Sequence, residues 1–233
     1  GRHKEKEIID LISKQFELLE QYKFNWNKNT FSKSLSSFYG TNLPINSKKE
    51  KHCGNGEFLL ITFYDNKPRY GFVETSRGSE KVNLNVFELK SRCRDITEGG
   101  HKVHTTNSPN ETNHDLTLLF GVNYSAYEEL INKEKINHYD QKNVIKNTPR
   151  EIIGVNGWDS LIQLFYILNN TIDYVVLRNF ENLPNQIEDH EDIDFLVRDL
   201  NQIIYITNAS KIFDHKNRVH FKLKVADKDV LVD

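Results

Sequence analysis

Asp192 and Asp194 stand one residue apart at the mouth of the apolar run in HEDIDFLVRD, and a third carboxylate, Asp233, ends the later run DVLVD. Successive residues of a strand point to opposite faces, so Asp192 and Asp194 share one face and Ile193 takes the other. Carboxylates that project together from neighbouring strands are what two-metal phosphoryl or nucleotidyl transfer requires. There Mg2+ or Mn2+ bridges the triphosphate and lowers the pKa of an acceptor hydroxyl. Asp192, Asp194 and Asp233 are therefore the expected metal-ligating and catalytic residues. The plain alternative is a solvated strand end.

The first half has a second polar cluster, GGHKVHTTNSPNETNHDLTLLFG, residues 99–121. His101 and His104 are three apart and would point to opposite faces of a strand, which argues against one shared metal. Ser108, Pro109 and Glu111 form a helix N-cap, a first helical residue and a capping box. Arg69, Arg77, Arg92 and Arg94 gather around the adjoining hairpin and helix. Such a group can hold a phosphate or other anion against the helix start at Ser108, although solvated surface charge is the bland reading.

These residues need elements to position them. Ile8, Ile9, Ile12, Phe16 and Leu19 recur at helical spacing and predict an amphipathic helix over 5–22, followed by a polar linker to residue 56. EFLLITFYD and RYGFVET read as two strands joined by the turn at DNKP. EKVNLNVFELKSRCRDI passes from strand into helix after Asn85, and HKVHTT is a further short strand. Helices are expected from Ser108 to Gly121 and from Ser125 onward. The polar stretch 137–151 is the domain boundary. After it come a helix with Trp158, Leu161, Leu164, Phe165 and Leu168 on its buried face, a central strand IDYVVLRNF, a break at Pro184, and the strand DIDFLVRDL. SKIFDH reads as a helix or turn, and RVHFKLKVADK with DVLVD as a hairpin.

The chain has 233 residues and a formal charge of −2, an ordinary globular composition without the basic bias of a nucleic-acid binder. No apolar run reaches the ~20 residues of a membrane span, and the charged start is no signal peptide, so a cytoplasmic location without a membrane partner is expected. Cys53 and Cys93 are too few for a disulfide framework or zinc site and read as free thiols. Methionine is absent and DVLVD breaks off inside an expected strand, so a longer chain is expected after residue 233.

YVVLRNFENLPNQIEDHEDIDFLV followed by DVLVD resembles the nucleotidyltransferase superfamily of DNA polymerase beta and the aminoglycoside nucleotidyltransferases, over roughly residues 155–233. That superfamily places an apolar strand ending in Gly-Gly or Gly-Ser ahead of an Asp-x-Asp strand, with a third carboxylate on a later strand. Asp192, Asp194 and Asp233 fall on the acidic positions. Arg178 and Asn179 stand where the glycines belong, and an arginine can bind phosphate through its fork instead. A shorter run, His104 to Ser108 and then Glu111, is locally similar to the active-site segment of nucleoside diphosphate kinases. That likeness implies His104 as a phosphorylated nucleophile and Glu111 as its orienter.

The expected fold class is α+β, with an N-terminal helix and linker over 1–56, a small α/β domain with the Arg/His cluster over 57–136, and a nucleotidyltransferase-like mixed sheet flanked by helices over 150–233. The resemblance implies a metal-dependent enzyme that uses Mg2+ or Mn2+ and a nucleoside triphosphate. Asp233 would complete the site or act as base, Arg178 and Asn179 would bind phosphate, and the first half, with Arg77, Arg92 and Arg94, would recognise a sugar, phosphorylated small molecule or polymer end. A non-catalytic binding module of a larger protein and a phosphotransferase centred on His104 are the alternatives.

Overall fold

In chain order the helices of the computed structural model are α1 (Glu5–Ser13), α2 (Phe31–Tyr39), α3 (Lys48–Cys53), α4 (Leu84–Ile96), α5 (Pro109–Phe120), α6 (Tyr124–Asn137), α7 (Leu161–Thr171) and α8 (Leu200–Ile206). The strands are β1 (Glu17–Asn25), β2 (Glu57–Tyr64), β3 (Tyr70–Thr75), β4 (Gly78–Asn83), β5 (Ile145–Thr148), β6 (Tyr174–Val176), β7 (Asp192–Ile193), β8 (Phe195–Val197), β9 (Ser210–His215), β10 (Arg218–Val225) and β11 (Lys228–Val232). The structure describes residues 2–54, 56–75, 78–137, 144–187, 192–215 and 218–233. The class is α+β, and among the described residues no helix is long and apolar enough to cross a membrane.

Two compact units divide the chain. Unit one comprises residues 1–28, 46–115 and 124–150, and unit two comprises 29–45, 116–123 and 151–233. The last segment of unit one ends at Arg150 and the last of unit two begins at Glu151, while residues 116–123 also belong to unit two. The expected 1–56 segment does not stand apart, because its first part belongs to unit one and residues 29–45 belong to unit two.

The helix expected over 5–22 ends at Ser13, and β1 takes over from Glu17. Phe16, Leu18, Tyr22, Phe24 and Trp26 alternate with period two and are rich in aromatics, a pattern that suits a strand better than a helix. β1 becomes the middle strand of the sheet β2-β1-β5, antiparallel to β2 and parallel to β5. Phe24 is fully buried there and stacks on Phe58 at 5.3 Å. Because β2 pairs with β1, the expected hairpin of EFLLITFYD with RYGFVET does not form, and β3 pairs with β4 instead. The switch from β4 to α4 comes at Asn83, whose side chain caps the helix. Ile12, Phe16, Val86, Leu89 and Cys93 close this core. HKVHTT forms no strand.

In unit two the expected linker contains α2, which packs on α8 through small residues. Ser34 and Ser37 are fully buried, and Ser37 Oγ donates to the Ile206 carbonyl at 3.3 Å. DIDFLVRDL is strand only to Val197. Asp199 then caps α8, accepting from the Asn201 N–H, and SKIFDH is strand β9. The four-stranded order is β7-β11-β10-β9, and β6 pairs antiparallel with β8, so IDYVVLRNF supplies an outer strand rather than a central one. α7 starts at the Ser160 cap and buries Leu164, Ile167 and Leu168.

Candidate metal centre

The Asp-x-Asp segment changes partner at its second carboxylate. β7 runs parallel to β11, and β8, one residue later, runs antiparallel to β6. The Asp233 N–H donates to the Ile193 carbonyl at 3.1 Å and its carbonyl accepts from the Phe195 N–H at 2.8 Å. That is the parallel pattern in which one residue bonds both neighbours of its partner, so Asp233 lies directly beside Asp194. Asp192 pairs with Leu231. Ile193, Val232 and Phe221 point into the core at 0, 1 and 2 % exposure, which sends Asp192, Asp194 and Asp233 together to the opposite face. One oxygen from each lies within 4.8 Å of the others, so the structure brings the three expected ligands together.

Arg178 follows β6, where the Leu177 N–H donates to the Asp194 carbonyl at 2.9 Å. Its Nε contacts Asp194 Oδ2, its Nη2 donates to Asp194 Oδ1 at 3.1 Å, and Nη2 lies 3.7 Å from Asp192 Oδ1. Asn179 has φ of 57° and donates from Nδ2 to the Asp192 carbonyl at 3.2 Å. The left-handed region favours glycine, and asparagine is among the side chains that tolerate it best. The turn thus has a conformation suited to glycine and carries side chains that glycine lacks.

The sequence reading missed two further groups. Arg218 Nη2 contacts Asp233 Oδ2, and His220 Nε2 lies 3.8 Å from Asp233 Oδ1. The period-two text RVHFKLKV carries the signal. Buried Phe221, Leu223 and Val225 alternate with Arg218, His220, Lys222 and Lys224, which makes the second set a row on the carboxylate face. Farther along that row, Lys222 and Lys224 line a cleft of about 530 Å³ with Lys33, Asn208 and Asp229. Lys222 is paired across strands with Leu231, and Leu231 with Asp192. Two strand spacings put Lys222 about 10 Å from the Asp192 strand. Lys222 holds the Asp229 carboxyl below its usual range through a 2.7 Å contact, and burial lowers the Lys33 ammonium, whose Nζ donates to the Val155 carbonyl at 2.6 Å.

The site fits a divalent cation. Asp233 is 4 % exposed, and its Oδ1 is buried without a hydrogen-bond partner. A buried carboxylate oxygen in that state is costly unless something positive meets it. Carboxylate oxygens spread over 4.8 Å are also what a hard ion with oxygen bonds of about 2.0–2.6 Å gathers.

The first-half candidates lie in the other unit. Arg69 donates to Asn85 Oδ1 at 2.7 Å and pairs with Glu88, while Arg94 on α4 donates to the Val103 carbonyl at 3.3 Å. Arg92 is on the same helix, and Arg77 lies outside the described residues. The Glu111 N–H donates to Ser108 Oγ at 3.2 Å, the cap half of the expected capping box, while the Glu111 carboxylate reaches one residue past the cap and accepts from the Asn107 N–H at 2.6 Å. The carboxylate on His104 is Asp115. Its two oxygens meet His104 Nε2 at 2.8 Å and His114 Nδ1 at 3.1 Å. Cys53 and Cys93 are free, with burial raising both thiols.

Burial pushes the Asp115 carboxyl up, but the two imidazole contacts outweigh it and hold the group below its usual range. A depressed folded-state value contributes stability above the unfolded value of about 3.9 and loses it as pH falls toward the folded one. Asp115→Asn is therefore expected to cost about 1–3 kcal/mol at pH 6. In urea titrations the gap to the unsubstituted chain should narrow at pH 3, and a gap independent of pH would contradict this role.

No protein-family model, curated protein or solved structure matches the chain.

Proposed function

We propose that the chain is a metal-dependent enzyme of nucleotidyltransferase type that moves a nucleotidyl or phosphoryl group from a nucleoside triphosphate to a hydroxyl or phosphate acceptor. The observation that carries this is the adjacency of Asp194 and Asp233 beside Asp192 on one sheet face, with Asp233 Oδ1 buried and unsatisfied. Mg2+ or Mn2+ would supply Lewis-acid stabilisation of phosphate charge and a more acidic acceptor hydroxyl. Asp192, Asp194 and Asp233 would hold the ion. Arg178 brings a planar fork suited to phosphate oxygens, and Asn179 fixes the turn that presents it. Lys33, Lys222 and Lys224 around the cleft favour a phosphorylated small-molecule acceptor over a neutral one.

The test is thermal unfolding with Mn2+ and each of the four common ribonucleoside triphosphates in turn. At about 100 times Kd a ligand adds about 2.7 kcal/mol, which in a chain of this size raises Tm by roughly 5–10 °C. At least one triphosphate should produce that rise with Mn2+ and not with either component alone. No rise with any of them would overturn the proposal. Transfer of an α-phosphate label and not a γ-phosphate label to an acceptor then distinguishes nucleotidyl from phosphoryl transfer.

A further inference from the structure

Two arginines grip the carboxylates from opposite sides. Arg178 reaches Asp194 and Asp192 from the β6 side, and Arg218 reaches Asp233 from the β10 side. The carboxylates are well covered, Asp194 at 13 % and Asp233 at 4 % exposure, but the arginine side chains are 59 % and 54 % exposed. The guanidinium heads therefore sit on the solvent side of the carboxylates, on long stems that can turn without disturbing the core. Three carboxylates face two guanidinium groups, so the arginines offset two of the three negative charges and leave one net negative charge.

The arginines sit on the same three carboxylates a metal ion would use, although Oδ1 of Asp233 is not held by Arg218. Arg178 spans both oxygens of Asp194, and Arg218 takes Oδ2 of Asp233, leaving Oδ1 to His220 at 3.8 Å. A divalent cation and a guanidinium repel each other, and one carboxylate oxygen cannot serve both at full strength. The guanidinium fork matches phosphate as well as it matches carboxylate. A triphosphate arriving with the ion would offer both arginines new partners of the same geometry.

We infer that Arg178 and Arg218 are exchangeable counter-ions. They offset two of the triad's three charges in the metal-free chain and turn to the polyphosphate when metal and polyphosphate bind together. This rests on the metal-centre reading above and adds a coupling to it. Metal alone is opposed by the arginines and polyphosphate alone by the carboxylates, so each strengthens binding of the other. Couplings of this kind typically amount to about 5- to 150-fold in affinity.

The test uses the full chain and calorimetric titration with two probes, Mn2+ alone and a preformed manganese–tripolyphosphate complex, which needs no knowledge of the base. For Arg178→Gln with Arg218→Gln, Mn2+ alone should bind about tenfold tighter and the complex about tenfold weaker than to the unsubstituted chain. A purely structural role would weaken both together. Each single substitution should give the same opposed pair of shifts at smaller size, which keeps the test available if the double variant folds poorly. Shifts in the same direction, or none, overturn the exchange while leaving the metal centre standing. Absence of Mn2+ binding in every variant overturns both.

Discussion

With Asn at both Asp192 and Asp194, Mn2+ with a nucleoside triphosphate should no longer raise Tm, where the unsubstituted chain gains roughly 5–10 °C. Asparagine keeps the shape of each side chain and removes its charge. The remaining carboxylate, Asp233, cannot hold a hard divalent ion that prefers several charged oxygens. The unliganded fold should survive. Arg178 is 59 % exposed, so its ion pairs with Asp194 and Asp192 contribute little to stability, and their loss is offset by reduced repulsion among carboxylates whose oxygens lie within 4.8 Å. An unliganded Tm near that of the parent together with a vanished response is the expected combination. A full response in the double variant would move the triphosphate site away from the triad.

The second large effect is on the fold beneath the site. Gly154 has φ of 80°, and a Cβ there would lie 2.4 Å from two atoms of the Trp158 ring. Trp158 cannot easily retreat. It is 2 % exposed, its N–H donates to the Lys224 carbonyl at 2.9 Å, its carbonyl accepts from the Ala226 N–H at 2.7 Å, and its Nε1 donates to the Thr207 carbonyl at 3.2 Å. Gly154→Ala combines a left-handed backbone penalty of about 1–2 kcal/mol with overpacking of about 1–3 kcal/mol, for a total of about 2–5 kcal/mol. Gly99 provides the control, since it has φ of 77° with nothing within 4 Å of an added Cβ. Gly99→Ala should cost only the backbone part. Urea unfolding of both variants checks this, and equal costs would show that the Trp158 contact does not constrain the fold. Trp158 also braces the end of β10, so its loosening should blur the row that runs from Arg218 to Lys224.

The parts of this architecture legible in the sequence are those written in local signals. The cap at Ser108 and the period-two run of β10 each announce themselves within a few residues, whereas Trp158, expected on the face of α7, lies before the Ser160 cap and bridges Val225 instead. The Asp-x-Asp motif could be placed on a strand because its alternation with Ile193 leaves little choice of face. Pairing was far less legible. β1 carries helix-compatible spacing up to Phe16 and strand-compatible spacing after it, and only its two partners, β2 and β5, decide between them. α2 was hidden because its buried face is largely serine, chosen for close approach to α8 rather than for hydrophobicity. Arg218 and His220 escaped notice because their relation to Asp233 depends on the register of β10 with β11. Arg178-Asn179 read as a departure from a glycine pair, and the sequence did not show that Asn179 takes φ of 57°, in the left-handed region that favours glycine.

The most direct measurement is anomalous X-ray diffraction from crystals soaked in Mn2+. The expected result is a manganese peak about 2.1–2.3 Å from carboxylate oxygens of Asp192, Asp194 and Asp233. A map with no peak there, and with Arg178 and Arg218 still seated on the carboxylates at saturating Mn2+ with tripolyphosphate, would contradict the metal centre.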